Sequence, residues 1–405
     1  MAIGQEQDFR VLAAYQDIGE KNVMVFDIET TGFSPKNAYI YLIGYKVFNV
    51  LSSGSGKIID EGQLLADDAV TDEKNIIEKF LNTVSKNNIS LLITYNGEAF
   101  DIPFLKSRCL KYGLLWNENI ESLDIYKKIY PYKQVLKLEG RRLRDIEHFM
   151  NIERDDIYDG GQLIGVYMEY MAEMKIKKLT GADKLCEIHD MAEKDGKEEA
   201  HGLKLCKDVL LLHNSDDVNG LADSIGVLAF TSLFEKRNAI NILSASFDAK
   251  SDTIKLSCRI TYAINRSLAL ESAASGWSVS VRSDLLEASI QLFHGEMKYF
   301  YEDYRNYYYL PNEDMAVHKS IGCFVDRTRR IQAKKSSCYQ RHIGNFIFSY
   351  AEKSIEIKYF KKEYLSDEYY IELTSNDLEK ITNNALCTEE RKRYEEMIYA
   401  FLFKY

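Results

Sequence analysis

The stretch VMVFDIETT, residues 23–31, decides the fold of the first half of this chain. It is a short apolar, β-branched run that ends in polar residues, which is typical of a buried strand. Side chains alternate between the two faces of a strand, so Asp27 and Glu29 point to the same face. Two carboxylates on one face repel each other unless a cation lies between them. The alternative is a strand end that carries two solvated acids.

The elements around this strand predict a mixed α/β domain, in which a sheet is flanked by helices. AYIYLIGYKVFNV and KIIDEGQLLA form a hairpin across the turn SSGSG, and LLITYNG and SLDI indicate two further strands. Helical spacing follows over 72–86, 102–113, 141–180 and about 203–234. The charge-rich stretch 181–202 is predicted as a loop or a surface insertion.

A second motif, YNGEAFDIPFL, places Asp101 among apolar neighbours at the start of a helix. An acid in such surroundings is either functional or the N-terminal cap of that helix. A third motif, HNSDDVNGL, lies in a predicted helix. His213 and Asp217 are four residues apart and therefore share one helix face, which would otherwise be only a solvated surface.

These motifs together resemble the DEDD exonuclease superfamily, named for four acids that occur in this order. More narrowly, they resemble the YprB-like RNase H-like family of predicted nucleases over about residues 20–225. The matching stretches are VFDIETTGF, LLITYNGEAFDIPFL, LDIYKKIY, MNIERDDIYDGGQLIGVYMEYM and HNSDDVNGL. The resemblance implies an RNase H-like fold and 3′–5′ exonuclease activity on DNA or RNA.

The resemblance also implies two divalent metal ions, held by Asp27, Glu29, Asp101 and Asp217. Mg²⁺ and Mn²⁺ both accept such hard oxygen ligands. Two ions about 3.5–4 Å apart can clamp the attacking and the leaving oxygen of a phosphodiester. A histidine near them can position or deprotonate the attacking water, a role that the resemblance transfers to His213.

One spacing departs from the family pattern. In the histidine subgroup the histidine stands five residues before the last aspartate, and in the tyrosine subgroup the tyrosine stands four before it. His213 has the tyrosine spacing to Asp217, so the identity of the base stays open and Asp216 is an alternative ligand. An imidazole at this position can still activate water, because its ordinary pKa is near 6.5.

Several polar residues near these motifs are candidates for substrate binding. Thr30 and Thr31 would line a nucleotide pocket, and Asn96 would contact substrate or close a turn with Gly97. Arg154 would bind a phosphate or pair with nearby acids. Asp124 would support the metal ligands from behind or simply end a strand.

The 405 residues predict two domains, 1–234 and 235–405. Residues 1–229 contain 27 Lys and Arg against 38 Asp and Glu, so the net charge of -10 arises entirely in the first half. The seven cysteines contain no C-x-x-C pair, which argues against a zinc ribbon and a disulfide framework. With no signal peptide and no membrane span, we expect a cytoplasmic protein.

The second half predicts an α+β domain: alternating strands from about 253 onward, then helices over 376–405. KYFYEDYRNYYYLP (298–311) contains six tyrosines, and 319–341 contains seven cations against one acid, Asp326. This combination suits a single-stranded nucleic acid, or else represents a tyrosine-rich core and a solvated loop. Glu313, Asp314 and His318 form a further acid–histidine cluster that is either functional or structural.

Three functions compete at this stage. The first is a nuclease acting on a single strand or a free 3′ end. The second is an RNase H-like module that binds nucleic acid or a partner without turnover. The third is an endonuclease on the same fold. The full set of four mutually repelling acids favours the first of these.

Overall fold

The computed structural model describes residues 6–16, 19–158, 160–180, 206–350 and 357–405. Contacts divide the chain into two compact units, Met1–Thr231 and Ser232–Tyr405. The charge-rich stretch 181–202 lies outside the described residues. Within the described part of the chain, no helix is both long and apolar enough to cross a bilayer.

The described part of the first unit contains six strands and seven α-helices. The strands are β1 (Glu6–Asp8), β2 (Lys21–Thr30), β3 (Ile40–Val50), β4 (Ser55–Leu65), β5 (Ile89–Thr94) and β6 (Glu121–Asp124). The helices are α1 (Ala69–Lys86), α2 (Asp101–Tyr112), α3 (Ile125–Ile129), α4 (Leu143–Met150), α5 (Gly160–Thr180), α6 (Cys206–Ser224) and α7 (Leu228–Phe234). Short 3-10 helices span Arg10–Ala14, Tyr130–Tyr132 and Ile225–Val227.

These six strands form one mixed sheet in the order β1-β4-β3-β2-β5-β6. β2 pairs antiparallel with β3 and parallel with β5, and β5 pairs parallel with β6. The carboxyl ends of β2, β5 and β6 therefore meet at one edge of the sheet. The predicted α/β fold, an RNase H-like mixed sheet flanked by helices, is confirmed.

Helices α1 and α2 pack on this sheet through apolar faces, and one buried ion pair joins the two helices. α1 begins after Asp68, whose side chain accepts a hydrogen bond from Val70 N (3.0 Å). α2 ends at Gly113, whose φ of +67° is the left-handed conformation that glycine adopts without steric cost. Between the two helices, Arg108 forms a fully buried ion pair with Glu73. Such a pair holds two helices in one register, because breaking it leaves an uncompensated buried charge.

Two predictions about the first unit need correction. The helical stretch predicted over 141–180 is two helices, α4 and α5. It is interrupted because Asn151 adopts a left-handed φ of +57° that ends α4. Cys109 is a free thiol, whereas Cys206 is disulfide-bonded, a bond that the spacing of the cysteines did not predict.

The second unit is rich in β-structure, as predicted. Its strands are β7 (Ile240–Asp248), β8 (Thr253–Ser272), β9 (Trp277–Gln291), β10 (Phe293–Phe300), β11 (Tyr307–Leu310), β12 (Met315–His318), β13 (Ile331–Gln332), β14 (Tyr339–Ser349), β15 (Tyr359–Phe360) and β16 (Tyr369–Leu373). Its helices are α8 (Lys319–Gly322), α9 (Ser375–Thr382) and α10 (Thr388–Leu402), with 3-10 helices at Tyr304–Asn306, Arg327–Arg329 and Lys335–Ser337.

The strands of this second unit form three antiparallel sheets among the described residues. Their orders are β7-β8-β9, β10-β14-β16-β15 and β12-β11-β13. Buried Trp277 stacks on Phe401 of α10, with ring centroids 5.8 Å apart. Large aromatic side chains bury much apolar area, so this contact anchors the closing helix.

Candidate active site

The carboxyl half of β2 presents two acids on one face of the sheet. Asp27 lies opposite Gly44 of β3, and Glu29 lies opposite Leu42. Gly44 is required here, since a Cβ at this position would overlap the side chain of Asn214 on α6. Asn214 in turn lies 3.5 Å from Asp27, measured from its Nδ2 to Oδ2. The missing side chain thus allows α6 to approach the acids of β2.

Asp101 joins these acids from the first turn of α2. Its Oδ1 accepts a hydrogen bond from the backbone N–H of Ile28, at 3.1 Å. Ile28 lies between Asp27 and Glu29, so this bond holds α2 against the strand that carries them. Asp101 is buried and is not a simple solvated cap.

His213 and Asp217 complete the cluster from one face of α6. Nε2 of His213 lies 3.4 Å from Oε1 of Glu29 and 3.1 Å from Oδ2 of Asp217. One ligand atom from each of Glu29, His213 and Asp217 lies within 4.8 Å of the other two, and this is the one such group in the described part of the chain. Three elements that are distant in sequence therefore converge on one site.

Burial and mutual repulsion make Asp27, Glu29 and Asp101 hold their protons more tightly than free carboxyl groups do. Burial, followed by the charges of Asp217, Asp101 and Glu29, raises the pKa of Asp27 well above its usual range. Burial also raises the pKa of Glu29 to about 8 and that of Asp101 to about 7. A cation among these oxygens would offset the repulsion, so the donor set fits a hard divalent ion.

The second nitrogen of His213 has a partner of its own. Nδ1 lies 2.6 Å from Oδ2 of Asp156, a buried carboxylate that also accepts a hydrogen bond from Arg144 Nη2 (2.7 Å). This contact fixes the ring so that Nε2 faces the acids. Burial alone would lower the pKa of His213, but hydrogen bonds with Asp156 and Asp217 raise it to about 10.

Arg154 lies next to Asp217 and binds carboxylates. It forms an ion pair with Asp217, and its Nη1 donates to both oxygens of Glu147, at 3.2 and 3.1 Å. Burial opposes a charged guanidinium, but these carboxylates outweigh burial and raise the pKa of Arg154. The predicted substrate-binding arginine is thus one of two positive groups that flank Asp217.

The remaining predicted residues surround the cluster at different depths. The carboxylate of Asp216 accepts hydrogen bonds from the backbone N–H groups of Asp155 and Asp156. It holds the loop after α4 in place and is not part of the group formed by Glu29, His213 and Asp217. Asp124 accepts hydrogen bonds from the backbone N–H groups of Asn96 (2.8 Å) and Glu98. It therefore holds the turn before α2, in which Asn96 has a left-handed φ of +61°.

Thr30 ends β2 and Thr31 begins the loop that follows, and the hydroxyl groups of both form hydrogen bonds within this segment. Thr30 Oγ1 donates to Gly32 O, and Thr31 Oγ1 accepts from Tyr39 N, both at 2.9 Å. This fixed loop displays Phe33, which is 90% exposed and lies edge-on to Phe100 with centroids 6.4 Å apart. Phe33 was not singled out from the sequence. The signal for it was an aromatic residue only two positions after Thr31 in the motif VFDIETTGF.

Two further buried groups at the site were missed because they come from other elements. Asp156 is 57 residues from His213, and only its place in the segment MNIERDDIYDGG pointed to it. Tyr41 on β3 stacks on Tyr167 with centroids 4.0 Å apart. Burial raises the pKa of Tyr41, and the charges of Glu29 and Asp27 raise it further, so this phenol borders the acids.

Comparison with known protein families places much of the first unit in one superfamily match. Residues 24–195 match the sequence model of the RNase H superfamily. The matched segment contains β2, α2 and most of the cluster, while His213 and Asp217 follow it. The fold of the first unit is RNase H-like.

Similarity to individual proteins covers parts of this chain. A DNA polymerase of Thermococcus hydrothermalis is 35% identical over 100 residues, which are 24% of this chain and 6% of that protein. A PolC-type DNA polymerase III of Clostridium perfringens is 27% identical over 148 residues, 32% of this chain and 10% of that protein. The chain thus spans a small fraction of the length of these relatives.

Solved structures give similarities of the same kind. A family B DNA polymerase from Pyrobaculum calidifontis has a TM-score of 0.34 at 14% identity, covering 72% of this chain and 37% of its own. Escherichia coli Exonuclease I in complex with a dT13 oligonucleotide has a TM-score of 0.28 at 14% identity, covering 40% and 43%.

Proposed function

We propose that the chain is a metal-dependent nuclease that removes nucleotides from the 3′ end of DNA or RNA. The observation that carries the proposal is the convergence of Asp27, Glu29, Asp101 and Asp217 with His213 on an RNase H-like sheet. Buried acids that repel one another destabilise the fold unless a cation offsets their charge. The chemistry that requires them is the binding of cations beside a phosphodiester.

The four carboxylates would hold two Mg²⁺ or Mn²⁺ ions. When bound, such ions supply charge for the attacking and the leaving oxygen. The acids are partly protonated near neutral pH without cations, because the pKa values of Glu29 and Asp101 are raised to about 8 and about 7. Cation binding therefore releases protons from these groups.

His213 is suited to hold the proton of the attacking water. Its Nδ1 is committed to Asp156, so Nε2 is the nitrogen that faces Glu29 and Asp217. The hydrogen bonds with Asp156 and Asp217, together with the negative charge of Asp217 and Glu29, keep the ring protonated at neutral pH. Neutralisation of Glu29 and Asp217 removes part of that charge, and Nε2 can then accept a proton.

The surroundings of the cluster provide the substrate contacts in this proposal. The exposed ring of Phe33 would stack on an unpaired base, a contact that contributes about 1–3 kcal/mol. Thr30, Thr31 and Asn96 would add further substrate contacts, and Arg154 would contact a phosphate. The proposal also includes the narrower similarity to YprB-like nucleases and the 3′–5′ direction of cleavage. It assigns the nuclease activity to a domain of residues 1–234 and expects the protein to be cytoplasmic.

A digestion assay with Asp27→Asn tests the proposal. The substrates are 5′-labelled single-stranded DNA and RNA oligomers, with Mg²⁺, with Mn²⁺ or with chelator. The wild type should produce a ladder that shortens from the 3′ end only with metal. Asp27→Asn should be inactive but folded, because the change removes charge and little volume. Asp367→Asn, an exposed acid of the second unit, is the matched control.

Other outcomes of this assay favour other functions. Cleavage that persists in Asp27→Asn would contradict the assignment of the metal site. Cleavage of a circular single strand would indicate an endonuclease. Binding without cleavage under any metal would indicate a module that only holds nucleic acid.

A further inference from the structure

A basic loop, residues 319–335, follows β12 in the second unit and includes β13. β12 and β13 are the two outer strands of the sheet β12-β11-β13. The loop also contains α8 and the 3-10 helix Arg327–Arg329. Internal bonds give it a defined shape: Arg330 donates to Gly322 O, and Asp326 accepts from Thr328 N at 2.8 Å. The loop therefore presents its side chains from fixed positions.

The basic loop has a large excess of positive charge, with six cations against one acid. Its cations are Lys319, Arg327, Arg329, Arg330, Lys334 and Lys335. Within the residues that the structure describes, none of these six has an ion pair with a carboxylate. The one acid, Asp326, is hydrogen-bonded to Thr328. Arg330 and Lys319 instead lie over the ring of Tyr308, at 4.6 and 5.5 Å from its centroid.

The same loop exposes apolar side chains next to these cations. Phe324 is 88% exposed, Ile321 66% and Ile331 53%. An exposed aromatic ring within a cationic surface is unfavourable in water and indicates a binding surface.

The tyrosines that the sequence singled out are used mostly inside the second unit. Tyr301 stacks on Tyr307 with centroids 4.5 Å apart, and the hydroxyl groups of Tyr309 and Tyr339 donate to Asp314. This occupies Asp314, and neither Glu313 nor His318 joins it in a metal-binding group among the described residues. Phe324, and not the tyrosine cluster, is therefore the aromatic side chain available to stack on a ligand.

We propose that the basic loop binds a single-stranded nucleic acid. Arg327 and Arg329 contact phosphates, and Phe324 stacks on an unpaired base. Guanidinium groups match the geometry of phosphate oxygens, and base stacking needs no particular sequence. The choice of nucleic acid as the ligand rests on the proposed nuclease function of the first unit.

An anionic lipid surface is the other partner that such a loop suggests. Segments that lie in a lipid interface are typically amphipathic helices of many residues. The basic loop has instead two short helical turns, α8 and Arg327–Arg329. This shape favours a flexible single-stranded nucleic acid as the ligand over a flat membrane, because a flexible nucleic acid can adjust its phosphates to separate cations.

Binding in the absence of metal tests this proposal separately from cleavage. Fluorescence anisotropy of a labelled oligo-dT and a labelled oligo-U is measured on the full chain with chelator, across a series of salt concentrations. The variants are Arg327→Ala/Arg329→Ala and Phe324→Ala. Their matched controls are Lys250→Ala/Arg282→Ala and Phe403→Ala, which change exposed residues elsewhere in the second unit. Thermal melting checks that all variants are folded.

The two kinds of variant should differ in their salt dependence. The arginine pair should lower the slope of log affinity against log salt by about 1.4, which is about 0.7 for each lost phosphate contact. Phe324→Ala should weaken binding roughly ten- to hundredfold with an unchanged slope. Both controls should bind as the wild type does.

Several results would overturn the proposal. Wild-type chain that binds neither oligomer, or loop variants that bind as tightly as their controls, would contradict it. Binding to vesicles of anionic phospholipid, lost in the loop variants, without binding to oligomers would assign the loop to a membrane. Failure of the nuclease proposal shows itself differently, as the absence of cleavage by the wild-type chain with either metal in the digestion assay, whatever the binding measured in chelator.

Discussion

At the scale of single residues, His213 links the acid cluster to the rest of the first unit. Its Nε2 faces Glu29 and Asp217, and its Nδ1 is held by Asp156. His213→Ala should lower the cleavage rate about 10²–10⁴-fold if the ring acts as a general base. Single-turnover rates at saturating metal measure this, and an unchanged rate would show that another group positions the water.

Asp156 should act through His213. Asp156→Asn is expected to lower kcat roughly 10–100-fold with little change in KM, since it removes the group that orients the ring. In a His213→Ala background the same change should add almost nothing. Asp155→Asn, the exposed neighbour, is the control. Additive losses in the double variant would mean that Asp156 contributes to stability alone.

At the scale of elements, the approach of α6 to α4 determines whether the site assembles. Gly220 on α6 permits this approach, because a Cβ there would overlap the carboxylate of Glu147 on α4. Glu147 in turn holds Arg154 beside Asp217. A single missing side chain thus keeps two helices and the positive group next to Asp217 in place.

Gly220→Ala should therefore destabilise the protein despite the higher helix propensity of alanine. We expect a loss of about 1–3 kcal/mol in the free energy of unfolding, as for other overpacked sites. Gly165→Ala on α5 is the matched control, because nothing lies within 4 Å of its Cβ position. The control should stabilise by about 0.5–1 kcal/mol. Equal effects of both substitutions in urea unfolding would disprove the close approach.

At the scale of the whole molecule, the acid cluster connects stability to pH and metal. The folded pKa of Glu29 is about 8 and that of Asp101 about 7, both above their usual values. The folded protein therefore retains protons that the unfolded chain has released. Its free energy of unfolding falls as pH rises toward about 8. His213, with a pKa raised to about 10, acts in the same direction above its ordinary value.

In chelator, the melting temperature should decrease from about pH 6 to about pH 8. Added Mg²⁺ or Mn²⁺ should raise it, and more at the higher pH, because the ligands bind metal in their deprotonated form. Glu29→Gln should flatten the pH dependence and weaken the effect of metal. A melting temperature that rises over this range in chelator would contradict the raised pKa values.

The sequence by itself determined the order of strands and helices around the acids. The apolar run 23–28, the turn 52–56 and Gly113 are local signals, since periodicity and turn chemistry depend on neighbours in the chain. Local motifs also allowed the four acids and His213 to be singled out as candidates. Reliance on local patterns also explains the error at 141–180, where periodicity continued across Asn151 and did not reveal the break.

Only the tertiary structure decided which groups face one another. The contact between Asp156 and His213 spans 57 residues, and the fit of Asn214 against Gly44 depends on how α6 packs on the sheet. In the second unit, Tyr301 and Tyr307 stack on each other, while Phe324 remains exposed. Such contacts follow from packing between distant elements, and no local pattern of residues encodes them.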